Sequence, residues 1–174
     1  MNRIFSYILI SALLIAASAS FATDIPHNFG TKIADNTLTR SNANKVGRTD
    51  DGLVYTCRGN AIFRYVDSPG YMCLRLPNGT GDSVIISPPL TKLSELKIYP
   101  YSHTAKVVDV KVAISTDGAT WREDLVTMDY SNSTFVRATI PVRAYYLKIY
   151  AVRSTDILSI TYTYLDCNCF TVTP

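Results

Sequence analysis

The stretch Ser115-Thr116-Asp117-Gly118-Ala119-Thr120-Trp121 separates two segments that have the pattern of β-strands. Before it, apolar residues occupy every second position, namely Val108, Val110, Val112 and Ile114. Beyond it, after a polar loop, Tyr145-Tyr146-Leu147-Lys148-Ile149-Tyr150 has the composition of another strand. An Asp-Gly turn between such segments is typical of antiparallel hairpins, so the stretch predicts a twisted antiparallel sheet.

Short runs rich in valine, isoleucine, tyrosine and threonine recur from Leu53 onward, with glycine, proline and asparagine between them. The predicted strands are 53–58, 61–66, 71–76, 83–87, 95–101, 107–115, 120–128, 134–140, 145–152, 157–165 and 169–172. Their apolar faces include one formed by Leu96 and Ile98, and another formed by Leu158, Ile160, Tyr162 and Tyr164. One apolar face per strand predicts an all-β antiparallel sandwich, or jelly roll, with a closed barrel as the alternative.

The first 22 residues have the pattern of an export signal. Arg3 gives a positive start, an apolar run follows from Ile8 to Ala17, and cleavage fits after Ala19 or Ala22. The apolar run is too short to span a bilayer, and no later stretch is apolar enough to do so. We therefore expect a secreted, periplasmic or cell-surface protein without a transmembrane segment after cleavage.

The rest of the chain divides into a polar lead-in, residues 23–52, and a β-sandwich domain, residues 53–174. The lead-in has few apolar residues, so we expect it to be loosely structured, with at most one short strand. The formal charge of the whole chain is +3, and it falls to +2 without the predicted signal because that segment holds Arg3 and no acid. Such a balance does not predict a nucleic-acid partner.

The four cysteines, Cys57, Cys73, Cys167 and Cys169, follow the predicted signal. An even number in an exported protein favours disulfides. Because Cys167 and Cys169 are too close in sequence to bond without strain, we expect at least one to bridge to Cys57 or Cys73. A metal site is the rival interpretation, but the spacing does not fit zinc. Reduced thiols are the third possibility.

The sequence carries little that predicts catalysis. Glu95 and Glu123 are the only glutamates, and no aspartate has a diagnostic context for the paired carboxylates of a glycosidase. No Gly-x-Ser-x-Gly elbow is present, and no cluster of histidine, cysteine and aspartate has metal-ligand spacing. We expect a protein that is not an enzyme and has no cofactor or metal. A glycan-active hydrolase is the remote alternative.

The aromatic residues predict a binding function more strongly than any residues of the chain predict catalysis. The chain has 12 tyrosines and one tryptophan, and aromatic rings stack on the C–H faces of sugars while polar neighbours bond the hydroxyl groups. Tyrosines also fill sandwich cores, and packing in the core or the turn is the favoured interpretation of Trp121 itself. The candidate ligand-binding residues are Tyr99, Tyr101, His103, Trp121, Arg122 and Tyr146.

Residues 107–165 resemble discoidin-like, galactose-binding-like β-sandwich domains. The resemblance rests on Ser115, Asp117, Gly118 and Trp121, followed by the Tyr145–Tyr150 strand. The segments Ile86–Leu90 and Leu93–Tyr99 look like jelly-roll modules attached to secreted bacterial polysaccharide-degrading enzymes. The resemblance implies a non-catalytic module that binds extracellular or cell-surface polysaccharide. The alternative is a protein–protein interaction or structural module of the cell envelope.

Overall fold

The computed structural model describes residues 21–29, 45–49, 52–66, 71–87, 90, 92–101 and 109–166. These residues form two antiparallel sheets that share one hydrophobic core. The predicted all-β antiparallel sandwich is therefore confirmed. In the described residues, no helix is long and apolar enough to cross a membrane. Positions 1–20 of the predicted signal, and the predicted strand 169–172, lie outside these ranges.

The first sheet has seven strands. Six follow the order β4-β5-β12-β7-β10-β9, and β1 also pairs with β12. Their bounds are β1 Phe21–Asn28, β4 Ile62–Val66, β5 Tyr71–Leu76, β7 Leu93–Pro100, β9 Thr127–Asp129, β10 Val136–Thr139 and β12 Thr155–Asp166. β12 is the longest of them, and it pairs with β7 on one side and with β5 and β1 on the other.

The second sheet has five strands in the order β2-β3-β6-β11-β8. Their bounds are β2 Val46–Arg48, β3 Val54–Arg58, β6 Ser83–Ser87, β8 Val110–Ser115 and β11 Tyr146–Ala151. Each neighbouring pair is antiparallel. The central strands bury alternate residues against the first sheet, and Leu147 and Ile149 of β11 are both fully buried.

The predicted faces of the first sheet are correct for β7 and for the middle of β12, and the pairing of β12 with β7 shifts register near both ends of β12. Leu96, Ile98, Ile160 and Tyr162 are all fully buried, as the alternation predicts. The pairing of β12 with β7 shifts register between residues 157 and 159. Because the shift changes the phase of the alternation, Ile157 is buried there and Leu158 is only half-buried.

Part of the segment interpreted as a loosely structured lead-in belongs to the first sheet. β1 pairs residue by residue with the second half of β12, from Phe21 opposite Asp166 to Asn28 opposite Ser159. The strand is hidden in the sequence because His27 counts as polar, although its side chain is only 1% exposed. Its ring nitrogen Nδ1 lies 2.7 Å from the hydroxyl of Tyr55, and that bond offsets the cost of burial.

The predicted disulfide to Cys57 or Cys73 is not formed. Both residues are free cysteines and both are buried, with Cys57 on β3 of the second sheet and Cys73 on β5 of the first. Burial raises the pKa of each thiol to about 12, so both are protonated at neutral pH. Cys167 and Cys169 lie outside the described residues. The large core explains how two cysteines of an even set can be buried as small apolar side chains.

Candidate functional site

The Ser115–Trp121 stretch forms a rigid turn at the end of β8. The Asp117 carboxylate accepts hydrogen bonds from the backbone N–H groups of Thr120 and Ala119, each at 2.8 Å, and from the Ser115 hydroxyl at 2.8 Å. These bonds hold the pKa of Asp117 well below its usual range, those from Thr120 and Ala119 contributing most. Gly118 has φ of 75°, a conformation that glycine adopts at low cost. The carboxylate of Asp117 is therefore committed to the turn.

Trp121 lies on the outer face of the second sheet. Ile114 and Arg122 exchange backbone hydrogen bonds of 3.1 and 2.9 Å, which makes the chain after the turn a short antiparallel neighbour of β8. That pairing puts Trp121 next to Ser115, a residue of β8 that points away from the core. The indole is half-buried and is not a member of the core cluster, so of the two positions expected for Trp121, packing in the core and packing in the turn, the first is not observed.

Lys148 lies between two aromatic rings on this face. Its Nζ atom is 5.9 Å from the centroid of the Trp121 ring and 5.7 Å from that of Tyr150, distances at which a cation is attracted to the ring faces. The Tyr150 hydroxyl donates a 2.8 Å hydrogen bond to Glu123. Burial, together with this bond and the negative charge of Glu123, raises the pKa of Tyr150 to about 12. Glu123 is thus held beside Lys148 and Trp121 at one edge of the face.

The strand register aligns these residues in rows across the sheet. In one row across the sheet, Tyr146 of β11 pairs with Ser115 of β8, and Trp121 lies on the other side of Ser115. Tyr146 and Trp121 are therefore two strand spacings apart, about 10 Å between their Cα atoms. Lys148 is in the next row. All three side chains are half-buried, with one side available to solvent. We call Trp121, Tyr146 and Lys148 the Trp121 platform.

A depression of about 430 Å³ lies at the same end of β8, and none of the three platform residues lines it. Its lining consists of Ile114, Arg122 and Leu125, four residues of the Ser115–Thr120 turn, and Val142 with Arg143. Its volume is within the range of small-ligand sites. Arg143 stacks over Tyr145, with the guanidinium carbon 5.2 Å from the ring centroid.

The structure brings together three of the six predicted ligand-binding residues. Trp121 and Tyr146 belong to the platform, and Arg122 follows Trp121 directly, bonding Asp124 through two contacts of 2.8 and 2.6 Å. This pairing raises the pKa of Arg122 and lowers that of Asp124. A guanidinium already paired in this way is a weaker ligand partner than the sequence predicts.

The other predicted residues are elsewhere. Tyr99 is on the outer face of the first sheet, where its ring lies 5.5 Å from that of Phe135. Tyr101 follows β7, and its backbone N–H donates a 2.7 Å hydrogen bond to the carbonyl of Asp156. His103 lies outside the described residues.

Sequence reasoning did not select Lys148. The signal was present, because Leu147 and Ile149 are the apolar members of an alternating strand and the residue between them must point outward with Tyr146 and Tyr150. Its position between two rings depends on Trp121 lying across β8, a contact between residues far apart in sequence. Within the described ranges, no group of three or more histidine, cysteine or acidic residues is arranged to hold a metal ion.

The chain is similar in structure to a known protein but matches none by sequence family. No protein-family model matches the chain, and no curated protein matches it. Among solved structures, the chain is similar to one from work describing how the complexity of the Ruminococcus flavefaciens cellulosome reflects an expansion in glycan recognition. The two are 13% identical with a TM-score of 0.42, and the alignment covers 83% of this chain and 96% of that one.

Proposed function

We propose that the protein is an exported, non-catalytic carbohydrate-binding β-sandwich of the discoidin-like type, and that the Trp121 platform binds the sugar. Its place of action is outside the cell or at the cell surface. The export signal is a prediction from the sequence, and amino-terminal sequencing of the mature protein tests it.

One observation carries the proposal: the only tryptophan of the chain lies half-buried on a sheet face rather than in the core. Leaving the indole in contact with water forgoes part of the roughly 25 cal/mol per Å² that its burial would contribute. A sugar ring stacked on the exposed side of the indole would recover that free energy of burial. The amine of Lys148 is near enough to the indole to bond the hydroxyl groups of the same sugar.

The same contacts support a binding role over a catalytic one. Of the acidic residues nearest Trp121, Asp117 is bonded within the turn, Asp124 is paired with Arg122, and Glu123 accepts the hydrogen bond of Tyr150. The pKa values of Asp117 and Asp124 are lowered, whereas a general acid for glycoside hydrolysis needs a raised one. These carboxylates are suited to stabilise the conformation of the surface around Trp121.

Substitution of Trp121 tests the proposal. Affinity electrophoresis of the full chain against a panel of soluble polysaccharides, followed by calorimetry on the best ligand, should show binding that Trp121→Ala weakens about tenfold or more, since the stacking and burial of one aromatic ring account for at least that. Trp121→Phe should retain part of the affinity. The variant should melt cooperatively, because Trp121 is not part of the core.

Phe135→Ala is the matched control, because Phe135 is also a half-buried aromatic residue but lies against Tyr99 on the opposite sheet. It should leave the affinity unchanged. A loss with Phe135→Ala and none with Trp121→Ala would move the site to the first sheet and overturn the assignment. Folded protein that binds no polysaccharide would overturn the function itself and favour the protein-interaction alternative.

A further inference from the structure

The two sheets differ in the charges that their strands carry. The strands of the second sheet contain four basic residues and no acidic residue. These bases are Arg48 on β2, Arg58 on β3, Lys111 on β8 and Lys148 on β11. The strands of the first sheet contain four basic residues and five acidic ones. Among the residues of the described strands, the net positive charge therefore lies on the sheet that carries the Trp121 platform.

On the first sheet the charges are mutually neutralised. All four of its basic residues are within 4 Å of a carboxylate on the same sheet. The pairs are Arg64–Asp156 at 2.8 Å, Arg75–Asp156 at 3.2 Å, Lys97–Asp24 at 3.5 Å, Lys97–Glu95 at 3.7 Å, Arg137–Glu95 at 3.4 Å and Arg137–Asp129 at 3.7 Å. A ligand carrying negative charge would have to break these pairs to bind there.

On the second sheet the four bases make no ion pair within the part of the chain that the structure describes. Lys111 donates a 2.9 Å hydrogen bond to the hydroxyl of Tyr130, which is neutral, and Lys148 contacts the faces of two rings. Both interactions hold an ammonium group in place without neutralising its charge.

The register spreads these bases across the whole face. Arg58 pairs with Ser83, Ser83 with Tyr150 and Tyr150 with Lys111, so Arg58 and Lys111 end one row that is about 14 Å long at Cα. Lys148 is two residues from Tyr150 along β11, in the next row of the sheet. Arg48 is on the edge strand β2, one row further in the same direction. We call this surface the basic face; it consists of Arg48, Arg58, Lys111 and Lys148 around the Trp121 platform. Its separated charges suit an extended chain with spaced anionic groups.

We propose that the ligand of the basic face is an anionic polysaccharide, one whose sugars carry carboxylate or sulfate groups. This inference rests on the proposed function and specifies its substrate class. The density of charge argues for a polysaccharide over a nucleic acid: the five-stranded sheet has only four bases, each on a different strand, and Glu123 and Asp124 adjoin Trp121. Those acids would repel a polymer that has a phosphate at every residue, whereas a glycan charged at intervals can avoid them.

The experiment uses pairs of polymers that differ only in charge. Affinity electrophoresis of the full chain would compare polygalacturonate with its methyl ester, and dextran sulfate with dextran, with single-stranded DNA as a further arm. The first pair tests carboxylate recognition and the second tests sulfate recognition. Binding to at least one charged polymer should exceed binding to its neutral counterpart by about tenfold, and added salt should reduce it.

Variants then assign the effect to the basic face. Lys148→Gln should weaken binding of the charged polymer about tenfold, the loss expected for one charge-assisted hydrogen bond. Lys148→Arg should restore most of it. Lys97→Gln, on the opposite sheet, is the matched control and should leave the affinity unchanged.

The outcomes separate this inference from the function on which it rests. Equal binding of both members of each pair, abolished by Trp121→Ala and unaffected by added salt, would overturn the anionic ligand and keep the carbohydrate-binding function. Absence of binding to any glycan would overturn both. Tighter binding of single-stranded DNA than of either charged glycan would also overturn the inference, because the face would then be a nucleic-acid surface.

Discussion

Gly59 shows how one residue shapes the corner at which the chain passes from the second sheet to the first. It follows β3 and has φ of 60°, and a side chain there would collide with the carboxylate of Asp82 and with the carbonyl of Gly81. Asp82 itself accepts a 2.7 Å hydrogen bond from the N–H of Asn60. Lys45 bonds the carbonyls of Gly59 and Ala61 at 2.7 and 2.8 Å. The corner therefore has no space for a β-carbon.

We expect Gly59→Ala to lower the free energy of unfolding by about 2 kcal/mol, because backbone at Gly81 and Asp82 must move to admit the methyl group. Gly52→Ala is the matched control: Gly52 has φ of 89° and nothing within 4 Å of the added atom. If backbone conformation alone decided the cost, Gly52→Ala would cost at least as much. Urea unfolding of both variants distinguishes the two causes.

At the scale of elements, a buried hydrogen-bonded chain joins the two sheets. His27 on β1 lies 2.7 Å from the hydroxyl of Tyr55 on β3, and that hydroxyl lies 2.6 Å from the hydroxyl of Tyr162 on β12. Tyr55 and Tyr162 are fully buried. Polar groups in such surroundings are costly unless bonded, so the chain fixes the positions of three strands relative to one another.

Removing the two hydroxyls should have non-additive effects. Tyr55→Phe deletes the bonds that its hydroxyl makes with His27 and with Tyr162, and Tyr162→Phe deletes the bond shared with Tyr55. We expect each substitution to lower the free energy of unfolding by about 1 to 2 kcal/mol. The double variant should lose less than the sum, because the shared bond is removed once. Additive losses in a double-mutant cycle would show that the two hydroxyls act independently.

The elements of this fold differ in how far the sequence reveals them. β5 and β6 have the bounds that their composition predicts. Each is a short run bounded by glycine and proline, so residues that are neighbours in the sequence determine where the strand begins and ends. The position of β1 in the lead-in was not predicted, because His27 is buried through a bond to Tyr55, a partner 28 positions away. The sequence left Trp121 either in the core or in the turn because the turn motif specifies only a bend, while the face on which the ring lies depends on the pairing of Arg122 with Ile114.

At the scale of the whole molecule, burial in the sandwich keeps two thiols protonated. Cys57 lies within the core, and Cys73 is completely buried beside Arg64 and Asp156. Asp156 raises the pKa of the Cys73 thiol, and Arg64 lowers it. Burial is the main cause that raises the pKa of both thiols from 9.0 to about 12. The stability of the fold is therefore linked to pH on the alkaline side.

We expect the free energy of unfolding to fall as the pH rises from 9 toward 12. In this interval the unfolded chain loses thiol protons that the folded chain keeps, so the stabilisation is complete below pH 9 and is lost as the pH approaches the folded pKa. Each thiol should contribute a slope of up to about 1.4 kcal/mol per pH unit. Tyr150, whose pKa rises from 10.0 to about 12, adds to the slope at its upper end.

Urea unfolding with a reductant present, at several values between about pH 8 and pH 11, measures this slope. Cys57→Ala and Cys73→Ala should each lower the stability at neutral pH, because each leaves a small cavity, and should also flatten the alkaline slope. The slope separates titration from packing, since a cavity lowers the curve equally at every pH. A slope that neither substitution changes would mean that these thiols reach solvent in the folded protein, and it would overturn the link between their burial and the alkaline loss of stability.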